Sequence, residues 1–89
     1  MITREIEIKN KLGLHARAAA KVVHTAARFQ SSIKIKKGDE EVDGKSILGI
    51  LLLAAGKGSI ITVRAEGEDE SEAVEAIEKL IEAKFDESE

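Results

Sequence analysis

Hydrophobic and polar residues alternate over several short stretches of the chain, and this alternation predicts β-strands. In the first stretch, Ile2, Ile6 and Ile8 share one face, although Arg4 interrupts that face. A period of two is typical of a strand with one buried side. A further short stretch is strongly charged, which is typical of a strand at the edge of a sheet. The predicted strands are residues 2–9, 32–37, 40–43 and 59–66.

Two other stretches repeat their apolar residues at steps of three and four, which predicts helices with one buried stripe. They cover residues 16–29 and about 70–84. Asp69, followed three residues later by Glu72, predicts a capping box at the start of the second of these helices. The buried stripe of that last helix is expected to contain Ala73, Val74, Ile77, Leu80, Ile81 and Phe85.

The order of the elements predicts a single α+β domain over residues 1–89, because a chain of 89 residues has no room for a second core. Half-apolar strands and amphipathic helices favour one sheet covered on one face by the helices. Gly38 and Asp39 suit a two-residue hairpin turn between the second and third strands. We expect residues 86–89 to fray.

The composition narrows the classes of function. The chain has no cysteine and only two histidines, so neither a disulfide framework nor a metal centre is expected. Its two phenylalanines are too few to build a stacking platform for single-stranded nucleic acid. The sequence has no apolar run of about 20 residues and no signal-peptide pattern. We therefore expect a cytoplasmic protein with no nucleic-acid partner and no membrane insertion.

The net charge of −3 is unevenly distributed along the chain. Residues 1–64 contain 12 Lys and Arg against 6 Asp and Glu, whereas residues 65–89 contain 2 against 11. We call residues 1–64, with their excess of Lys and Arg, the basic front. This positive charge predicts acidic partners, because complementary charge speeds the encounter of two proteins. The acidic tail also fits the solvated face of a surface helix, and both interpretations can hold.

The segment from Gly13 to Arg17 lies where the strand pattern ends and the helical pattern begins. His15 is therefore expected at a helix N-terminus, where backbone N–H groups lack intrahelical partners and the helix dipole is positive. Such an end binds anions, and the guanidinium of Arg17 suits phosphate oxygens. These residues predict a phosphoryl group carried on histidine. They also fit a surface histidine at a helix N-cap beside a solvated arginine.

A second candidate site is the short helix over residues 47–53, which is apolar almost all round and has Ser46 as a suitable N-cap. A domain of this size cannot bury every side of such a helix. Ile50 and Leu53 are expected to face the core, and an exposed apolar patch of this kind marks a docking site. Full burial of the helix is the alternative. The patch is expected to contain Ile47, Leu48 and Leu51.

The Gly13–Arg17 segment closely resembles the active-site segment of HPr, the family of histidine-containing phosphocarriers of the bacterial sugar phosphotransferase system. The stretch from Gly44 to Leu51 resembles that family's regulatory-serine segment, and the spacing between the two segments also fits. The resemblance covers nearly the whole chain. It implies an open-faced β-sandwich in which four antiparallel strands, ordered first, fourth, second, third, are covered on one face by three helices.

The resemblance also implies a reaction. His15 would accept a phosphoryl group on Nδ1 from phosphorylated Enzyme I and pass it to Enzyme IIA domains of sugar permeases. The backbone of Ala16, Arg17 and Ala18 and the side chain of Arg17 would hold the phosphate. Ser46 would be a regulatory phosphorylation site, with HPr kinase/phosphorylase and a transcriptional regulator as further candidate partners. The chain would be a monomeric carrier without a cofactor, a substrate of enzymes more than an enzyme.

One departure from the family pattern is Ala18, where the family normally has proline after the arginine. Alanine gives up a fixed backbone angle and restores an N–H group, so we expect an adjusted site and not a lost one. Two alternatives stay open: a carrier of the paralogous nitrogen pathway, and a small α/β interaction module without phosphotransfer. His24 lies too far along the helix to share the phosphate of His15 and is expected at the surface.

Overall fold

The computed structural model describes residues 1–86 and contains one antiparallel sheet of four strands in the order β1-β4-β2-β3. This is the strand order that the resemblance implied, and the open-faced sandwich of four strands and three helices is confirmed. The strands are β1 (Ile2–Glu7), β2 (Ser32–Lys37), β3 (Glu40–Asp43) and β4 (Ile60–Glu66). The helices are α1 (Ala16–Ala26), α2 (Ile47–Leu52) and α3 (Glu70–Glu82).

The register of the sheet explains how the first strand tolerates a charge on its apolar face. Ile6 pairs with Ile61 and Arg4 with Val63, so Arg4 lies on the helix-covered side. Its guanidinium donates a hydrogen bond to the Glu78 carboxylate of α3 and forms an ion pair with it at the rim of the core. The break in the strand pattern is therefore a contact between the sheet and the last helix.

The turn between β2 and β3 has the predicted form. Lys37 pairs with Glu40, which leaves Gly38 and Asp39 as a two-residue turn, and Gly38 has the left-handed φ of 61° that such turns require. The charged strand β3 lies at the sheet edge, as expected.

The core is formed by the inner face of the sheet and the apolar stripes of the helices. Its members are Ile6, Ile8, Leu14, Ala18, Ala19, Val22, Ala26, Ile33, Ile35, Ile50, Leu53, Ala55, Ile61, Val63, Ala65, Ala73, Val74, Ile77, Ile81 and Phe85. Small alanines on α1 let this helix pack closely, which brings its N-terminus against the chain that follows α2.

The predicted capping box at the start of α3 is wrong. Asp69 is the N-cap residue, but its side chain makes no cap hydrogen bond. Its carboxylate instead accepts hydrogen bonds from the backbone N–H groups of Gln30 and Ser31 and from the Ser31 hydroxyl. Ser31 is buried, so an unsatisfied hydroxyl there would carry a desolvation cost, and Asp69 removes that cost.

The backbone adopts a left-handed conformation after α3. Lys84, Phe85 and Asp86 all have positive φ and form one short 3-10 turn, which carries the Phe85 ring into the core. The backbone oxygen of Phe85 accepts a hydrogen bond from Lys21 of α1. The expected burial of Phe85 is confirmed, although α3 itself ends earlier than predicted. Asp86 is described within this turn, and the rest of the expected frayed segment, residues 87–89, lies outside the described residues.

Candidate functional site

His15 is the N-cap residue of α1. Its backbone is extended, with φ −77° and ψ −179°, and its oxygen accepts the first helical hydrogen bond, from the N–H of Ala19 at 2.8 Å. Its ring nitrogen Nδ1 accepts a hydrogen bond from the backbone N–H of Arg17 at 3.3 Å. An acceptor nitrogen of imidazole carries no proton, so the neutral ring here has its proton on Nε2. The lone pair of Nδ1 thus points to the helix N-terminus.

The turn before His15 fixes where the helix begins. Gly13 has a φ of 67°, and a Cβ placed on it would lie 2.5 Å from the oxygen of Ala55 and 2.7 Å from Cα of Gly56. Only glycine fits such a close backbone approach in this conformation. Leu14 is buried and its N–H donates to the oxygen of Ala55 at 2.9 Å. The imidazole is therefore presented from a backbone that is tied to the chain following α2.

The three residues that were predicted to hold a phosphate form the first turn of α1. Ala16 and Arg17 are exposed, whereas the Ala18 side chain is buried in the core. The N–H groups of this turn precede the first helical hydrogen bond, and the turn contains no acidic residue. Since N–H groups without an intrahelical partner and the helix dipole both favour negative charge, the turn is electrostatically suited to an anion.

Ser46 is the N-cap of α2, as predicted. It is half-buried, and its hydroxyl oxygen accepts a hydrogen bond from the N–H of Gly49 at 3.0 Å. A Cβ on Gly49 would lie 3.1 Å from Cβ of Val42 and 3.3 Å from the Ser46 oxygen, so α2 approaches β3 closely at this glycine. The hydroxyl therefore has a structural role in capping, whatever else it does.

The apolar surface of α2 differs in one residue from the prediction. Ile50 and Leu53 are buried as expected. Ile47 is 43% exposed and Leu48 is 67% exposed, so the alternative of full burial of the helix is excluded. Leu51, however, is half-buried against the core, and Leu52 is exposed to 65% in its place. We call Ile47, Leu48 and Leu52 the α2 apolar surface.

The structure brings the two candidate sites onto neighbouring elements. Helix α1 packs against α2, and the hydrogen bond from Leu14 to Ala55 joins the residue before His15 to the segment after α2. His24, in contrast, is exposed in the last turn of α1, as expected.

The basic front of the sequence is partly neutralised within the fold. Arg4 pairs with Glu78, and Lys9 pairs with Glu82 at 2.6 Å, so two basic residues of the front face the acidic helix α3. The side-chain hydrogen bond from Lys9 to Glu82 and the attraction between their charges raise the pKa of Lys9. Part of the charge asymmetry therefore reflects contacts that α3 makes with β1 and with the loop after it.

Within residues 1–86, no cluster of three or more potential metal-ligating side chains is found. In the same part of the chain, no helix has the length and apolar character needed to cross a bilayer.

Comparisons with known proteins identify the family of the chain. Residues 2–83 match the family model described as the PTS HPr component phosphorylation site. The chain is 51% identical over 86 residues to phosphocarrier protein HPr of Pseudomonas aeruginosa, and the match covers 96% of each chain. It is 44% identical over 87 residues to phosphocarrier protein NPr of Shewanella violacea, and this match covers 98% of this chain and 96% of that protein. A crystal structure of HPr from Thermoanaerobacter tengcongensis superposes with a TM-score of 0.96 at 48% identity, covering both chains completely. The chain therefore belongs to the HPr family of phosphotransferase-system phosphocarriers.

Proposed function

We propose that this chain accepts a phosphoryl group on Nδ1 of His15 from phosphorylated Enzyme I and delivers it to Enzyme IIA domains of sugar permeases. The observation that carries the proposal is the position of Nδ1, whose lone pair faces the N–H group of Arg17 at the start of α1. The family match supports the phosphocarrier role, and the geometry supports the choice of atom.

The transfer is a displacement at phosphorus. The lone pair of Nδ1 forms the new bond to phosphorus as the bond to the donor breaks, and the proton on Nε2 stays on the ring. The N–H of Arg17 donates to Nδ1 in the resting chain, so this hydrogen bond breaks to free the lone pair for attack. The N–H is then beside the phosphoryl oxygens, and the guanidinium of Arg17 adds a second source of positive charge. Such transfers depend mainly on alignment and charge stabilisation, so the chain needs to contribute little else.

Docking of both partners is assigned to the helix next to His15. Ile47 and Leu48 are exposed on the α2 apolar surface, Leu51 supports them from the core side, and large exposed apolar side chains at one place favour protein contact. A carrier has to release each partner after transfer, so a small contact area is the appropriate kind of interface.

Ser46 is proposed as a regulatory phosphorylation site for an HPr kinase/phosphorylase, with a transcriptional regulator as a reader of the modified form. A phosphate on this hydroxyl would lie at the N-terminus of α2, where the helix dipole tolerates negative charge. The same charge would stand next to Ile47 and repel an acidic partner. Regulation would then act by electrostatics, without refolding.

A carrier for the nitrogen pathway is the second candidate, because the chain is 44% identical to an NPr protein. Both candidates use the same chemistry with different partners. In either case we propose one domain over residues 1–89, acting as a monomer in the cytoplasm without a cofactor, as a substrate of enzymes more than an enzyme.

The test of the proposal compares donors. The purified chain is incubated with phosphoenolpyruvate and either Enzyme I of the sugar system or its nitrogen-pathway counterpart, and the initial rates of phosphorylation are measured. A faster reaction with Enzyme I is expected. A preference for the nitrogen-pathway enzyme would overturn the sugar assignment, and no reaction with either enzyme would overturn the carrier assignment.

A further inference from the structure

Asn10 is a buried polar residue flanked by exposed side chains in the loop between β1 and α1. It is 0% exposed, whereas Lys9, Lys11 and Leu12 on either side of it all face solvent. Its side-chain nitrogen Nδ2 donates a hydrogen bond to the backbone oxygen of Gly13 at 2.8 Å, and the N–H of Gly13 donates to the backbone oxygen of Asn10 at 3.2 Å. One residue thus closes the turn of residues 10–13 twice.

The closed turn is wedged against the segment that follows α2. Gly13 approaches Ala55 and Gly56 too closely for any side chain, and the oxygen of Ile8 accepts the N–H of Gly58 at 2.8 Å just before the turn. The turn therefore has fixed contacts on both sides. Its internal geometry, which the Asn10 amide sets, decides where the chain leaves it, and His15 is only two residues beyond Gly13.

We propose that Asn10 is a positioning residue for the phosphoryl-acceptor histidine, an inference that rests on the proposed function. Without the amide, the buried oxygen of Gly13 loses this donor, which favours a rearrangement of the turn toward water. Any such rearrangement moves the backbone of His15 relative to the N–H of Arg17. A change in the position of His15 relative to this N–H should affect the transfer step more than the docking step, because docking is assigned to the side chains of Ile47, Leu48 and Leu52, which the turn does not contain.

The competing explanation is that Asn10 stabilises the fold and nothing more, as many buried polar residues do. The chain offers a matched control for this. Ser31 is also a buried polar residue, exposed to 1%, and its hydroxyl is also hydrogen-bonded, in this case to Asp69. It lies beyond the C-terminal end of α1, whereas His15 is at the N-terminal end, so loss of the Ser31 hydroxyl should destabilise the fold without moving the histidine.

The experiment measures the maximal rate and the KM of phosphoryl transfer from Enzyme I for the unaltered chain, Asn10→Ala and Ser31→Ala. We expect Asn10→Ala to lower the maximal rate roughly tenfold or more with little change in KM, since small errors of alignment have large effects on rate. Ser31→Ala should retain both constants. A maximal rate for Asn10→Ala equal to that of Ser31→Ala, or a loss confined to KM, would overturn the positioning role.

Two further measurements make the result decisive. Asn10→Ser keeps a hydroxyl donor, so its maximal rate of phosphoryl transfer should lie between those of Asn10→Ala and the unaltered chain. If Asn10→Ala does not fold, Asn10→Ser takes its place in the comparison. Amide hydrogen exchange at Leu14 and Arg17 should accelerate in the Asn10 variants and not in Ser31→Ala. If the unaltered chain accepts no phosphoryl group from Enzyme I, the proposed function fails. The rates of hydrogen exchange alone then test the role of Asn10. Equal exchange rates at Leu14 and Arg17 in all variants would overturn the positioning role.

Discussion

The backbone N–H of Arg17 donates a hydrogen bond to Nδ1 of His15, with 3.3 Å between the two nitrogens. This contact holds the imidazole in the orientation in which its unprotonated nitrogen faces the helix N-terminus. The same N–H group would lie beside a phosphoryl group bonded to that nitrogen. In the proposed transfer, the contact would therefore orient the ring before a partner arrives.

The first prediction concerns the tautomer of His15. With the ring neutral, the proton should reside on Nε2, because Nδ1 accepts a hydrogen bond. Nitrogen-15 chemical shifts of the imidazole measure this directly, and His24, which is exposed, is the internal control. A proton on Nδ1 of neutral His15 would contradict the proposed geometry.

The second prediction concerns Ser46→Asp. The new carboxylate should slow phosphorylation by Enzyme I, because it places negative charge beside Ile47 and Leu48 on the α2 apolar surface. The initial rate of phosphorylation is the measurement. Ser71→Asp is the matched control, since it puts the same charge in the first turn of α3.

The Ser46 result also has to be separated from the loss of a cap. Ser46→Ala should lower the free energy of unfolding by about 1 kcal/mol, the usual value for removal of an N-cap hydroxyl. It should leave the phosphorylation rate unchanged because it adds no charge. Equal rates for Ser46→Asp and Ser71→Asp would remove the electrostatic account of regulation.

The third prediction concerns the docking surface. Leu48→Asn should raise the KM for Enzyme I by roughly fivefold to tenfold, since truncation of a contributing interface residue costs about 1 kcal/mol or more. Leu48 is exposed, so the thermal unfolding temperature should change little. Ile60→Thr is the control, because Ile60 is also exposed but lies on β4. A normal KM for Leu48→Asn would exclude this residue from the interface.

The fourth prediction concerns acid stability. Hydrogen bonds from the Ser31 hydroxyl, and then from the N–H of Gln30, hold the pKa of Asp69 below its ordinary value of 3.8. A carboxylate with a lowered folded-state pKa contributes stability above its unfolded-state pKa and loses it as the pH falls through the folded-state value. The contribution of Asp69 should therefore be complete at neutral pH and disappear on acidification below about pH 4.

Urea unfolding at a series of pH values compares the chain with Asp69→Asn. The difference in unfolding free energy should be constant above about pH 5 and shrink below about pH 4, where protonated Asp69 resembles asparagine. Glu70, whose pKa is lowered by its hydrogen bonds with the N-terminal ammonium and then with the N–H of Gly67, is present in both proteins and cancels in the difference. A difference that is independent of pH would contradict the assignment.

Local sequence patterns predicted the elements of the fold and the place of His15 well, whereas the strand order was implied only by the family resemblance. The change from a period of two to a helical period marks the start of α1, and Gly13 marks the turn that requires a positive φ. These signals are local because strand alternation, helix periodicity and turn chemistry act over a few residues.

The contacts that could not be predicted from the sequence are those made between segments that are distant along the chain. The carboxylate of Asp69 accepts hydrogen bonds from Gln30 and Ser31, which lie 39 and 38 residues away along the chain, and therefore does not cap α3. The exchange of Leu51 for Leu52 on the exposed side has a related cause. A short helix that is apolar on every side carries no stripe to set its rotation, so packing alone decides which leucine is buried.

Asn10 was missed for a third reason. An asparagine in a turn is usually solvated, whereas this one is buried in a turn that lies against residues 55–58. A polar residue between two lysines gives no sign of this in the sequence.

The most direct test of His15 as the phosphoryl acceptor is the intact mass of the chain after incubation with phosphoenolpyruvate and Enzyme I, before and after brief acid treatment. We predict a gain of one phosphoryl group that acid removes, as expected for phosphohistidine, and no gain for His15→Ala, which should fold normally. Retained phosphorylation of His15→Ala, or a phosphoryl group that survives acid, would contradict the assignment of His15 as the acceptor.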